Sequence, residues 1–266
     1  MNPKELTDRE LGSFDTLMRI LEHLRAPGGC PWDREQTHQS LKRNLLEECH
    51  ELLEALDDPE PAHLAEELGD ILLQVAFHTQ IAREDGDFTH EDVIRGINRK
   101  LIKRHPHVFG DESVASAREV VQRWEEFKGR QKEGRPILGG IPESLPALAY
   151  SQLVQDRAAK TGFDWEDVDG VLDKVVEELG ELKSAATPEQ RARELGDLLF
   201  SIVNVARWLD IHAEDALRQA NMRFLRRFNT MERLCKERGM DFQALPMAEK
   251  ESLWQEAKRL EDEGNG

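Results

Sequence analysis

One acidic pattern is written twice along this chain of 266 residues. Glu47-Glu48 and Glu51 are followed by Glu67 and Asp70, and Glu177-Glu178 and Glu181 are followed by Glu194 and Asp197, so that EExxE and then ExxD occur in both halves. Acids three or four residues apart share one face of a helix. Each copy therefore specifies two acidic helix faces, and antiparallel packing of the two helices brings at least four carboxylates to one point. Such a concentration of like charge repels itself unless cations fill it. Hard divalent ions with oxygen ligands, Mg²⁺ or alternatively Mn²⁺, are the natural counter-ions.

Glutamates at helical spacing more commonly form a solvated face, and the segments that follow decide between the two readings. Asp70 leads into Ile71, Leu72, Leu73, Val75, Ala76 and Phe77, and Asp197 leads into Leu198, Leu199, Phe200, Ile202 and Val203. A helix apolar nearly all round is expected to be buried. Carboxylates at its start need compensation, and the apolar run holds no Lys or Arg one turn away to give it. The repetition of acids and apolar context together favours metal sites.

The rest of the chain repeats around these acids. Apolar residues recur at three and four with no alternating β-branched runs, so the predicted fold class is all-α. In the first half, helices are expected from Phe14 to Leu24, from Leu41 to Leu56, from about Ala62 to Arg83, and after Thr89, whose capping-box partner is Asp92. The breakers Ala26-Pro27-Gly28-Gly29, Asp57-Asp58-Pro59 and Asp85-Gly86-Asp87 separate them. Gly129 to Pro146 is too rich in Gly and Pro for a packed element. The same order then returns: Ala147 to Lys160, Val171 to Ala186, Glu189 to Leu209 and His212 to Leu234, with Trp124 in RWEEFK answered by Trp254 in LWQEAK. The expected organisation is a helical module over residues 1–128, a linker over 129–146 and a second helical module over 147–266, a tandem and not a solenoid of many short repeats.

With 53 acidic against 36 basic residues and a formal net charge of -17, the chain is a poor match for nucleic acid or a membrane surface, both polyanions. Nucleotides remain accessible to it if a metal bridges their phosphates. Cys30, Cys49 and Cys235 form no CxxC pair, which indicates reduced thiols and not a disulfide framework or a zinc site. The first residues carry no apolar leader, and no run reaches the roughly 18 apolar residues of a membrane span. The expectation is a soluble, cytoplasmic protein.

Basic clusters recur after the acids: Lys100, Lys103 and Arg104, then Arg223, Arg226 and Arg227. One such cluster alone reads as helix-end charge complementing the macrodipole, but two at the same place read as phosphate contacts. Neither GxxxxGK[ST] nor a strand-borne GxGxxG is present, which argues against a P-loop enzyme or kinase. ExxD stands where a di-iron bundle would carry ExxH. His105-Pro106-His107 reads first as a helix terminator. Cys30-Pro31-Trp32-Asp33 and Phe163-Asp164-Trp165 precede the two acidic helices, and each Trp is either a stacking surface for a base or a staple for the helix entry.

Taken together, the doubled EExxE and ExxD motifs, GGCPWDREQTHQSLKRNLLEECHEL, ELGDILLQ, KRHPHVFGD, GFDW and ELGDLLFSIVN resemble the MazG family of nucleoside triphosphate pyrophosphohydrolases in its two-module bacterial form. The resemblance implies an all-α, four-helix-type bundle in each module, completed by homodimerisation, and Mg²⁺-dependent cleavage of nucleoside triphosphate to nucleoside monophosphate and pyrophosphate. It implies Glu178, Glu181, Glu194 and Asp197 as metal ligands, and Glu177 as the residue that orients or deprotonates water. Lys174, Arg223, Arg226 and Arg227 then look like triphosphate contacts, with Trp254 a wall of the nucleotide site. Glu48, Glu51, Glu67 and Asp70 hold the same ligand positions in the first module, but Asn44 replaces Lys174. The second module is therefore expected to carry most of the turnover. The competing function is a non-catalytic module that senses nucleotide or metal, and a third is a plain helical scaffold. Aligned acids and cations in the second module favour the enzyme, because a sensor needs no positioned water.

Overall fold

A computed structural model describes residues 6–58, 60–111, 113–114, 116, 119–120 and 136–264. The chain divides into two units, Met1–Lys132 and Glu133–Gly266. Every regular element among the described residues is a helix. Trp124 and the first part of the expected linker lie outside the described residues.

The first unit begins with α1 (Asp8–Leu11), capped by Thr7 and Glu10 in a capping box, and α2 (Phe14–Arg25). A short α3 (Pro31–Glu35) follows, which the sequence pattern did not announce. Next come α4 (Lys42–Asp57), α5 (Pro61–Asp85) and α6 (His90–Arg104). α5 stops at Gly86, whose φ of 79° closes the helix in the left-handed region that a side chain disfavours. Thr89 caps α6 as expected: its backbone N–H donates to Asp92 Oδ2 at 3.1 Å. At the other end His105 Nδ1–H donates to Leu101 O at 2.7 Å, and Pro106 starts the short α7 (Pro106–Phe109), so His105-Pro106-His107 does terminate the helix. The core joins α2 to α5 through Met18, Leu21, Phe77 and Ile81.

In the second unit α8 (Ala147–Ala159), α9 (Val168–Ser184) and α10 (Pro188–Trp208) repeat that order. α11 (Ala213–Glu237) and α12 (Met247–Gly264) pack on each other around Met231, Leu234, Leu253 and Ala257. α9 and α10 form a tight antiparallel hairpin, as do α4 and α5. In one respect the expectation fails: neither α5 nor α10 is buried all round. Leu68, Leu72 and Val75 on α5, and Leu195, Leu199 and Ile202 on α10, remain exposed, because the hairpin partner and the two further helices that pack on each cover only part of the cylinder.

Candidate metal centre

The hairpins place the acids. Asp167 opens α9 by accepting from Gly170 N at 2.9 Å, and Thr187 with Gln190 opens α10 in a capping box with Pro188 in the first turn. Only three residues, Ala185 to Thr187, separate the two helices, so Glu178 on α9 faces Glu194 and Asp197 on α10. Ligand oxygens of Glu178, Glu194 and Asp197 lie within 4.8 Å of one another, and those of Glu48, Glu67 and Asp70 in the first unit do the same. Glu178 and Glu194 are each only 5% exposed, and Glu67 is 9% exposed. Glu178 Oε2 and Glu67 Oε2 are buried with no hydrogen-bond partner among the described residues. A buried, orphaned carboxylate oxygen in a set of all-oxygen donors is a chemical fit for a hard divalent cation.

Glu181 and Glu51, one turn on, stand beside these triads and not within them. The Glu181 carboxyl is raised above its ordinary range, first by the charge of Glu178 and then by burial and by Glu194, so it belongs to the same electrostatic unit. Glu48 is raised too, by burial and then by the charges of Asp70, Glu51 and Glu67. For Glu181 the crowding of carboxylates leads, and for Glu48 burial leads and the crowding adds to it.

Lys174 lies where the sequence put it. Its Nζ reaches Glu177 Oε1 at 2.8 Å and Glu178 Oε1 at 2.7 Å, and these hydrogen bonds lift the ammonium far above its ordinary range. Glu177 is consequently tied to Lys174 at the rim of the cluster. A second cation was missed from sequence: Arg193 Nη2 contacts Glu194 Oε1 at 2.5 Å. Its only signal in the sequence is its place directly before Glu194, ahead of the apolar run. The first unit has Glu66 at that place and Asn44 at the place of Lys174, and offers instead His63 Nε2 at 3.4 Å from Glu67 Oε1.

The basic cluster on α11 is engaged elsewhere. Arg226 and Arg227 close on Glu261 of α12, at 3.0 and 2.6 Å, and hold it below its ordinary range against the effect of burial. The guanidinium of Arg227 lies 5.8 Å from the ring centroid of Trp254, which also meets Phe224 at 5.3 Å. Arg223 shares that helix. Within the described residues the structure shows no contact between these side chains and the acids.

The family model of the MazG nucleotide pyrophosphohydrolase domain matches residues 36–109, the hairpin of the first unit and α6. A Thermotoga maritima protein named nucleoside triphosphate pyrophosphohydrolase/pyrophosphatase MazG is 49% identical over 92% of this chain and 95% of its own length. An Escherichia coli nucleoside triphosphate pyrophosphohydrolase is 42% identical over 94% of this chain and 99% of its own. A Bacillus subtilis protein, YabN, is 45% identical over 93% of this chain but 52% of its own length. Carboxylate-lined helical hairpins and these relatives together define the class, a hydrolase acting on phosphoric anhydrides. The chain belongs to the MazG family of nucleoside triphosphate pyrophosphohydrolases.

Proposed function

We propose that the second unit hydrolyses nucleoside triphosphates to nucleoside monophosphate and pyrophosphate, with Glu178, Glu181, Glu194 and Asp197 holding Mg²⁺ or, in its place, Mn²⁺. The observation that carries this is the orphaned Glu178 Oε2 inside a triad of carboxylates within 4.8 Å. When bound, the cation lowers the pKa of water and neutralises charge on the leaving pyrophosphate. The chain's own groups do the rest. Lys174 and Arg193 ring the cluster in ion pairs that each can exchange for a phosphate oxygen at similar energy, so the substrate is drawn in by replacing bonds and not by adding charge. Glu177, exposed and held by Lys174, accepts the proton of the attacking water. The water oxygen bonds to the α-phosphorus, the bond from that phosphorus to the α–β bridging oxygen breaks, and pyrophosphate leaves. Arg223, Arg226 and Arg227 take the outer phosphates, with Trp254 backing the Arg227 guanidinium.

We further propose that two copies assemble as a homodimer, the exposed Leu195, Leu199 and Ile202 of α10 being covered by the partner. The protein works in the cytoplasm, where nucleoside triphosphates are held, and its charge of -17 keeps it off nucleic acid. The test is product analysis in H₂¹⁸O with Mg²⁺ and a panel of nucleoside triphosphates. Label in the monophosphate, with unlabelled pyrophosphate, is the expected result. Orthophosphate with nucleoside diphosphate would overturn the reading.

A further inference from the structure

A histidine continues the row of acids in the first unit. His63, Glu67, Asp70 and Gln74 follow one another at intervals of four, three and four residues, so they share one face of α5. Glu67 and Asp70 meet Glu48 of α4 in the triad, and His63 extends the row by one turn toward the start of the helix. Its Nε2 lies 3.4 Å from Glu67 Oε1, while Glu67 Oε2 is buried with no hydrogen-bond partner among the described residues. Gln74, 5% exposed, closes the inner end: it hydrogen-bonds the Glu48 carboxyl, and its own Oε1 is buried with no donor among the described residues.

The turn between α4 and α5 fixes which nitrogen of His63 faces the acids. Asp58 accepts from the backbone N–H of Glu60 at 2.9 Å and from His63 Nδ1 at 3.0 Å, and these bonds, in that order, hold its carboxyl below the ordinary range. An ionised carboxylate only accepts, so the proton of the His63 contact is on Nδ1. Nε2 of the neutral ring then turns a lone pair toward Glu67 Oε1, and two such acceptors need a positive ion between them. Their separation of 3.4 Å is long for a charge-assisted hydrogen bond, which runs at about 2.7–2.9 Å. It matches two ligands of one tetrahedral ion, which stand roughly 3.4 Å apart when each bond is about 2.1 Å.

Counting from the shared ELGD motif, the second unit has Gln190 where the first has His63, and Ala185 where the first has Asp58. Gln190 is spent on the start of α10, its Oε1 accepting from Ala186 N at 3.0 Å and from Thr187 N at 3.2 Å. Lys174 and Arg193 bring positive charge to that cluster instead. The two units therefore differ in their donors: nitrogen with oxygen in the first, oxygen in the triad of the second.

We infer that the first unit binds a divalent transition ion of the kind that prefers imidazole, Zn²⁺ foremost, through His63 Nε2 and the carboxylates of Glu67, Glu48 and Asp70. Imidazole suits Zn²⁺ and its first-row neighbours, whereas Mg²⁺ takes oxygen ligands. The Nε2 lone pair goes to the metal and the Nδ1 proton stays on the ring. Asp58 orients the imidazole and raises its basicity, as carboxylates behind metal-bound histidines do. The His63 side chain is 39% exposed, which leaves the ion a way in. Such a site is independent of the reaction proposed for the second unit.

The test is calorimetric titration of the full chain, stripped of metal by a chelator, with Zn²⁺ in excess Mg²⁺, and a parallel titration with Co²⁺, whose visible absorption reports its ligands. One ion per chain is expected to bind about a hundredfold or more tighter than Mg²⁺. His63→Gln, which installs the side chain that the second unit carries at this place, should weaken it about a hundredfold and change the Co²⁺ spectrum, and Asp58→Ala should weaken it about tenfold or more. Glu67→Gln should abolish binding and Glu194→Gln should leave it intact. Zn²⁺ affinity unchanged by His63→Gln overturns the inference, because the carboxylates alone would then hold the ion. Zn²⁺ bound no tighter than Mg²⁺ overturns it too, as does binding that Glu194→Gln removes and Glu67→Gln spares. Circular dichroism checks the helices of each variant; should His63→Gln lose them, Asp58→Ala decides, and unchanged affinity there overturns the inference.

Discussion

Replacing Glu194 by Gln separates a metal ligand from a structural acid, because the two roles move stability in opposite directions. Glu178 and Glu194 are both nearly buried and carry ligand oxygens within 4.8 Å of each other. At an effective dielectric constant near 20, two unit charges at 4.8 Å repel by about 3.5 kcal/mol. Arg193 offsets part of this, but its side chain is exposed, and such a pair is worth about 1 kcal/mol at most. Glu194→Gln is isosteric, so the metal-free protein should gain about 1 to 2 kcal/mol, a rise in Tm of several degrees for a unit of this size. The unsubstituted chain at a Mg²⁺ concentration 100 times its Kd should gain about 2.7 kcal/mol, or roughly 8 °C. In the variant that metal-induced shift should vanish, and turnover should fall by orders of magnitude. Calorimetry with and without Mg²⁺ reads both numbers, and hydrogen exchange on α9 and α10 assigns them to the second unit. A metal-free Tm lowered by more than about 5 °C, with the Mg²⁺ shift intact, would refute the reasoning and make Glu194 a structural acid.

Glu181→Ala plus Asp197→Ala is expected to abolish pyrophosphate release, whereas Glu51→Ala plus Asp70→Ala should leave most of it, as product assays on the full chain would show; the reverse result would reassign turnover to the first unit. Lys174→Met should lower kcat more than it raises KM, since a cation on the phosphates acts most strongly as charge builds on the leaving group. His78 gives a pH dependence: burial and then the neighbouring His38, whose ring stacks on it at 5.1 Å, hold its imidazole below the ordinary value of 6.5. The unfolded chain then binds that proton more readily, so stability is fully present above pH 6.5 and is lost as pH falls through the folded value. Denaturant titrations between pH 8 and pH 5 should show the loss in the first unit, and His78→Gln should flatten it.

The helices and their acids were legible because period and breakers are local signals: the ends expected for the second and third helices fall within a few residues of α4 and α5. The short α3 was not, since the five residues Pro31–Glu35 carry no period to read. Lys174 was legible because it lies one turn from Glu178, where helical spacing predicts contact. Arg193 was not, because neighbours in sequence point to different helix faces and its long side chain has to curl back to reach Glu194. The cavity of about 610 Å³ between α8, α10 and the Gly162-Phe163-Asp164-Trp165 loop was invisible for another reason. Nothing in GFDW alone tells that Trp165 both packs against Gly170 and walls a pocket, whose lining includes Asn204, 39 residues away. The exposure of Leu195 and Leu199 was hidden in the same way, since periodicity reports which residues seek burial and not whether the same chain supplies the cover.

The two units share a ligand pattern and differ in what surrounds it, and the difference is one of charge. In the second, Lys174 and Arg193 bring two positive charges to three converging carboxylates, so that cluster is nearly balanced before any cation enters. In the first, Asn44 is neutral, Glu66 adds a further negative charge, and His63 at 3.4 Å from Glu67 is the near group able to become positive. Arg43 is spent on Glu47 at 2.7 Å, away from the triad. The raised Glu48 carboxyl follows from that imbalance. An unbalanced cluster attracts a divalent ion more strongly but has no cation to exchange onto a phosphate, whereas a balanced one holds the ion less tightly and has two. On the proposed reading, this difference in charge is what would suit the first unit to keeping a cation and the second to exchanging its cations onto a phosphate.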